Sequence, residues 1–316
     1  MLRALSTLLM VTLAACGGVA PVTAPRSPWT EVRTQQDTQL LWNGQLVLRT
    51  VHDFDAKDQV ATFKIYTHVF GPRGEGPLTK GETTGLYPHH RGLFVGWNKV
   101  LFRGKRFDFW HGKDGVRFQL AARSSELTGD VARQTFTIDW NLADGTSVLQ
   151  ERRTLLADRD STGVLRIAIE SSFLAREPIE LDGDPHHAGC HVRLAQEVAD
   201  KEKETELLMP QTATRKKADD ESVQSLCPWV ALLCTVAGVR RVVVHFDSDA
   251  AGADSLCSIR RYGRIGAFAK LALPADRAVN RVWRVLVADA DTHAKLWTRE
   301  GIAAEALEWS RWGLPF

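Results

Sequence analysis

The feature that most restricts the fold is a rhythm of short apolar, β-branched and aromatic runs broken by turn residues. From Leu40 onward the turn signals recur at roughly 8–12-residue intervals, the spacing of sandwiches and barrels. Leu40-Leu41-Trp42 and Gln45-Leu46-Val47-Leu48 flank Asn43-Gly44, a strong hairpin signal because both turn positions need a positive φ. Further strands are predicted over Thr62 to Phe70, Leu93 to Phe102, Arg106 to Trp110 and Val116 to Ala122. Gln134 to Trp140 and Ser147 to Leu155 follow, joined at Asp144-Gly145. The later half adds Val164 to Phe173, His191 to Ala195, Val230 to Val236, Arg241 to Phe246 and Arg281 to Val287. No strand–helix alternation runs through the chain, which argues against a Rossmann or TIM-barrel fold. The expected class is all-β, a large antiparallel β-sandwich, with one short C-terminal helix around Thr292 to Trp309 that Gly301 breaks. Gly71 to Tyr87 and Lys201 to Val223 are expected to be long loops, each beside a histidine cluster.

The N-terminus has a different character. Arg3 precedes a mostly apolar run from Ala4 to Ala15, too short to span a bilayer and shaped like an export signal. It closes on Leu13-Ala14-Ala15-Cys16, which resembles the bacterial lipobox, where cleavage leaves a lipidated cysteine at the new N-terminus. The expected organisation is a signal peptide over 1–15, a lipidated Cys16 with a flexible tether over 16–36, and a β domain over 37–316. Gly17-Gly18 lack the acidic residue that signals inner-membrane retention, so a periplasm-facing outer-membrane lipoprotein is expected. Four cysteines remain, Cys190, Cys227, Cys234 and Cys257, either free and buried or paired, with Cys227 and Cys234 close enough in sequence to close a loop. The 40 basic and 38 acidic residues leave a formal net charge of +2. The basic run Arg215-Lys216-Lys217 is offset at once by Asp219-Asp220-Glu221 and reads as a solvated loop, so no nucleic-acid partner is expected.

Histidine supplies the strongest chemical signal. Pro88-His89-His90-Arg91-Gly92 is echoed by Pro185-His186-His187-Ala188-Gly189, and each leads into a β-type run. With ten histidines in 316 residues, two adjacent pairs with matching Pro and Gly flanks are improbable as noise. They mark either equivalent corners of two related β-halves or two loops converging on one site. Extended from His187, the second segment puts His187, Gly189, His191, Arg193, Ala195 and Glu197 on one face. Ala188, Cys190, Val192, Leu194 and Gln196 then form the core face. Asp108-Phe109-Trp110-His111 adds an acid, two aromatics and another histidine.

Three chemistries suit this set. In the leading one a sugar or glycoside is transformed by acid–base steps, with His89, His187, His191 and Glu197 moving protons. His90, Arg91, Trp110, His111, Arg193 and Arg264 bind the substrate, no cofactor is called for, and the enzyme is of epimerase, lyase or hydrolase type. The second is a glycan-binding lipoprotein without catalysis. The third is a metalloprotein in which some of His89, His90, His111, His187 and His191 ligate a divalent transition metal, against which stands the lack of His-Glu-x-x-His spacing. Isolated histidines such as His52, His68, His245 and His293 are expected to be structural. Arg260-Arg261-Tyr262-Gly263-Arg264-Ile265-Gly266 is either an anion clamp or a charged surface hairpin. Gly-x-Ser-x-Gly, Gly-x-Gly-x-x-Gly and Walker-type signatures are absent.

Several of these segments together resemble a bacterial family called PmoA-like. The resemblance lies in Pro88 to Trp97, Asp108-Phe109-Trp110-His111, Asp184 to Glu197, Tyr262 to Phe268 and the Arg281-to-Val287 strand, and covers roughly Leu40 to Trp309. It implies an all-β sandwich like the galactose-mutarotase supersandwich, without an established activity, in exported proteins of carbohydrate-degrading bacteria. It does not imply methane oxidation, because the membrane methane monooxygenase is helical and nothing after Cys16 has a run that could span a bilayer. His89, His90, Arg91, His111, His187, Arg193 and Glu197 are the site positions the resemblance implies. Asp184-Pro185-His186 departs from the family's usual second motif, which points to His187 rather than His186.

Overall fold

The computed structural model describes residues 27–72, 74–217, 220–225, 227–247 and 256–311. Cys16 and the expected signal peptide lie outside the described residues. The fold is nearly all-β and antiparallel, as expected, and its strands fall into three sheets. The largest has ten strands, from Trp29–Arg33 at one edge to Thr214–Lys217 at the other. At its centre Tyr66–Val69, Leu93–Trp97, Ala188–Arg193 and Arg264–Phe268 lie side by side. An eight-stranded sheet carries the long strands Arg117–Thr128, Val131–Asn141, Ser147–Arg159, Leu165–Leu174 and Val279–Asp289. A four-stranded sheet includes Lys99–Phe102 and Ile179–Asp182.

The two large sheets pack face to face through aromatic side chains. Trp97 of the ten-stranded sheet meets Trp140 and Phe173 of the eight-stranded one, with ring centroids 6.1 and 5.5 Å apart. This core also holds a buried ion pair, in which Arg153 grips Glu151 through Nε and Nη2 at 2.8 Å each. Trp140 Nε1 and Ser171 Oγ donate to the same carboxylate, and Arg153 Nη1 reaches across to the Ile65 carbonyl of the facing layer. A charge pair so satisfied specifies how the sheets align more than it stabilises them. The hairpin at Asn43-Gly44 forms as predicted, with φ of 49° and 79°.

Local expectations fail where a turn or a neighbour outweighs pattern. Within the stretch expected to be a tether, Trp29–Arg33 forms a strand that pairs with Asp37–Trp42 and buries Trp29. Of the Thr62-to-Phe70 run only Tyr66–Val69 is strand, since Asp58 caps a short helix over Gln59–Thr62. Lys201 to Val223 is not one loop; it includes the strands Glu206–Leu208 and Thr214–Lys217, and Asp220–Ser225 begins within it. The basic run Arg215-Lys216-Lys217 therefore belongs to a strand. Gly301 does not break the last helix, which runs Arg299–Arg311; the break falls at Thr298, whose hydroxyl accepts from the Gly301 amide. All four cysteines described are free and buried.

Candidate functional site

Leu93–Trp97 and Ala188–Arg193 are antiparallel neighbours, with Leu93 opposite Val192 and Trp97 opposite Ala188. The two Pro-His-His corners thus enter the pair from opposite ends. Both fold back over the same face. His89 and His187 come to 6.0 Å between ring centroids and His111 joins them at 5.4 and 4.8 Å, so of the two arrangements left open by the sequence the corners take the converging one. One ligand nitrogen from each of His89, His111 and His187 lies within 4.8 Å of the other two.

Each corner has its own mechanical basis. In the first, the Arg91 guanidinium donates to the carbonyls of Pro88, His90 and Val60 at 2.8, 2.7 and 3.1 Å. Arg91 is therefore a buried clamp on the backbone rather than the substrate ligand predicted. In the second, Gly189 has φ of +87°, and a Cβ there would stand 2.0 Å from the Ala267 carbonyl oxygen, so only glycine fits. Alternation along Ala188–Arg193 holds: Ala188, Cys190 and Val192 enter the main core, while His191 and Arg193 turn to the face beneath the histidines.

Two short motifs set the imidazoles. Asp108 accepts from the amides of Trp110 and His111 and, through Oδ2 at 2.9 Å, from Nδ1 of His111. Asp184 accepts from the His186 amide and, at 3.0 Å, from Nδ1 of His187. Both are Asp-x-x-His, and both leave Nε2 of the histidine as the free nitrogen. Burial works to raise these carboxyl pKa values, but the hydrogen bonds outweigh it and hold both below the usual range, Asp184 far below. His111 and His187 keep 26% and 31% of their side chains exposed, enough for a ligand to reach them. Burial, together with the charge of Lys64, lowers the His89 pKa to about 3, which keeps it a neutral imidazole.

The floor is Trp110, whose ring packs on Phe94, His191 and His187 at 5.2, 5.1 and 6.2 Å. At 2% exposure it supports the histidines from below and offers no stacking face to a sugar, contrary to expectation. His191 is wholly buried, with Nε2 on the Ala188 carbonyl at 2.8 Å, and this removes it from proton transfer with solvent or substrate. Lys64 is buried as well, donating to the His89 carbonyl at 3.0 Å and lying 4.4 Å over Phe94 and 5.2 Å over Trp110. Burial, with Arg91 and Arg193 nearby, pushes its pKa well down.

The wall is aromatic and basic. His90 is buried and stacks on Tyr87 at 4.8 Å, and Tyr87 meets Tyr262 at 4.3 Å. Arg264 reaches His186 Nδ1 at 2.8 Å, and Arg193 donates to the His186 carbonyl at 2.7 Å. His186, discounted on sequence, is thus held in the wall. Glu197 is not part of this assembly. The strand ends at Arg193, and Glu197 sits on the helix Gln196–Asp200, bound to the Ala237 amide and to Lys201. Asp184, Tyr87 and Lys64 were passed over as site residues; the repeated Asp-x-x-His spacing at 108–111 and 184–187 was the available signal for the first.

No curated protein matches the chain. Solved structures similar to it include a candidate aldose 1-epimerase from Escherichia coli K12, with 7% identity and a TM-score of 0.36 over 83% of this chain and 99% of that one. The aldose epimerase homologue of C. elegans has 12% identity and a TM-score of 0.32, over 84% and 99%. A polysaccharide lyase has 12% identity and a TM-score of 0.34, over 78% of this chain and 34% of the lyase. The resemblance to a PmoA-like family does not hold, because the family model that matches is a different one. That match takes in residues 37–300, and the chain belongs to the Family of unknown function (DUF6807).

Proposed function

We propose that the protein is a metal-dependent enzyme of sugar chemistry, in which the partly exposed His89, His111 and His187 hold a divalent transition metal. The observation that carries this reading is the pair of aspartates bound to Nδ1 of His111 and His187. A carboxylate behind an imidazole fixes its tautomer and ring plane and raises its basicity, the usual support of a metal-ligating histidine. Three histidines and an open position are the pattern of a catalytic zinc site. A metal there would supply Lewis-acid polarisation of a hydroxyl or carbonyl and a deprotonated water near neutral pH. That chemistry serves epimerase, lyase and hydrolase reactions alike.

Tyr87 and Tyr262 support a sugar as the substrate. Their partly exposed rings pack on His90, the neighbour of His89, giving an apolar surface for C–H groups beside polar groups for hydroxyls. The Leu13-Ala14-Ala15-Cys16 sequence supports an outer-membrane anchor through a lipid on Cys16. Elemental analysis of protein purified without chelator or affinity metal tests the metal: about one equivalent is expected, lost from a His89→Ala, His187→Ala double variant. Conversion of a glycan panel should need that metal. A stoichiometry near zero after incubation with zinc, manganese and iron salts would sink the reading.

A further inference from the structure

We infer that the sugar bound at this histidine site carries a carboxylate, as a uronate does, and that Arg193 receives it. The inference rests on the reading of the site as one for sugars. Arg193 ends the central strand Ala188–Arg193 and is 2% exposed. Its Nη2 donates to the His186 carbonyl at 2.7 Å, but Nε and Nη1 have no hydrogen-bond partner among the described residues. The guanidinium lies 5.4 Å over the Trp110 ring, which itself touches His187. Trp110 Nε1, also buried, is a donor without an acceptor among the described residues. Unmet buried donors are costly, the more so on a charged group, and their persistence beside partly exposed histidines calls for an acceptor from outside the chain.

Charge points the same way. Arg193 and Arg264 are both buried around the floor and wall. The carboxylates beside the three histidines, Asp108 and Asp184, are both committed to histidine. A dication on the three imidazoles would be offset by Asp108 and Asp184, whose bonds to neutral imidazole leave their charges intact, so with a neutral sugar the buried Arg193 guanidinium still has no anion among the described residues to balance it. A carboxylate brings a negative charge and two acceptor oxygens with no donor of its own, which is what a guanidinium and an indole N–H lack.

The test compares D-glucuronate, D-galacturonate and D-mannuronate, free and as short oligosaccharides, with their neutral parents by calorimetry on the purified protein. At least one acid is expected to bind ten-fold or more tighter than its parent, more weakly as salt rises, and to lose that advantage in Arg193→Met. Should that variant fold poorly, Arg193→Lys, which keeps the charge and loses the planar fork, is expected to lose about ten-fold. Equal binding of acids and parents, binding of neither, or an acid preference that survives in folded Arg193 variants overturns the inference. Metal content measured on the same samples separates the two ideas. Bound metal without acid preference removes only the carboxylate, and acid preference without metal removes only the metal.

Discussion

The Asp184 carboxylate accepts from Nδ1 of His187 at 3.0 Å, and that contact leaves Nε2 as the nitrogen free to bind a ligand. Asn98 holds the other oxygen of Asp184 at 2.6 Å, so the carboxylate is itself oriented. Asp184→Asn keeps the shape and an acceptor but removes the charge behind the imidazole. It is expected to weaken metal binding by roughly 10–100-fold with little change in melting temperature. Asp108→Asn should do the same through His111. Competition against a chromogenic zinc chelator measures both; affinities equal to that of the unaltered protein would mean that these contacts are structural.

Acid sensitivity follows from His68. It is buried, its Nδ1 pairs with Thr79 Oγ1 at 3.1 Å, and burial together with the Arg49 charge lowers its pKa to about 4. The folded state therefore keeps this imidazole neutral while the unfolded chain protonates it near its ordinary value of 6.5. Stability from this group is complete above pH 6.5 and is lost as pH falls toward 4, by roughly 3 kcal/mol in all. Urea melts of the His68→Gln variant between pH 7 and 4 should show a shallower acid limb than the unaltered protein. Parallel limbs would refute the assignment.

Gly189 tests the way the second corner is built. Its φ of +87° and the 2.0 Å from a built Cβ to the Ala267 oxygen leave no room for a methyl group. Gly189→Ala should cost on the order of 3 kcal/mol or more, from strain and from separation of the strand pair under the site. Gly76→Ala, where a Cβ meets nothing within 4 Å, should stay within about 1 kcal/mol. Thermal denaturation of the two variants side by side reads the difference.

Much of this architecture was legible in the sequence because it follows from local chemistry. Asn43-Gly44 allows one kind of turn, and alternation through Ala188, Cys190 and Val192 sorts core from site face. Matching flanks left two arrangements open for the Pro-His-His corners, and the structure selects the one in which His89 meets His187. What pattern could not supply was the depth of each group. His191 looks like a site residue when faces are assigned by parity, and Trp110 does from its place in Asp108-Phe109-Trp110-His111, but a second layer made by Lys64, Phe94 and the folded-back loops covers them. Arg91 reads as a ligand until its three carbonyl partners are seen, and those partners are fixed by loop geometry rather than by composition. Glu197 was misplaced because parity was carried beyond the end of its strand into a helix.

Glu197 and His187 therefore make the sharpest pair of variants. Glu197 binds the Ala237 amide at 2.8 Å through Oε2 and Lys201 at 3.1 Å through Oε1, both at the surface. Exposed pairs of this kind contribute about 0–1 kcal/mol, so Glu197→Gln should shift stability by no more than that. Metal content and sugar conversion should match the unaltered protein, since none of its contacts reaches the histidines. His187→Gln, in contrast, removes a ligand nitrogen while preserving size at a half-exposed position. It is expected to abolish bound metal and turnover with the fold intact by near-ultraviolet circular dichroism. If Glu197→Gln instead loses turnover while His187→Gln retains it, proton transfer belongs near the Gln196–Asp200 helix, and the histidine cluster is no more than a packed corner of the sheet.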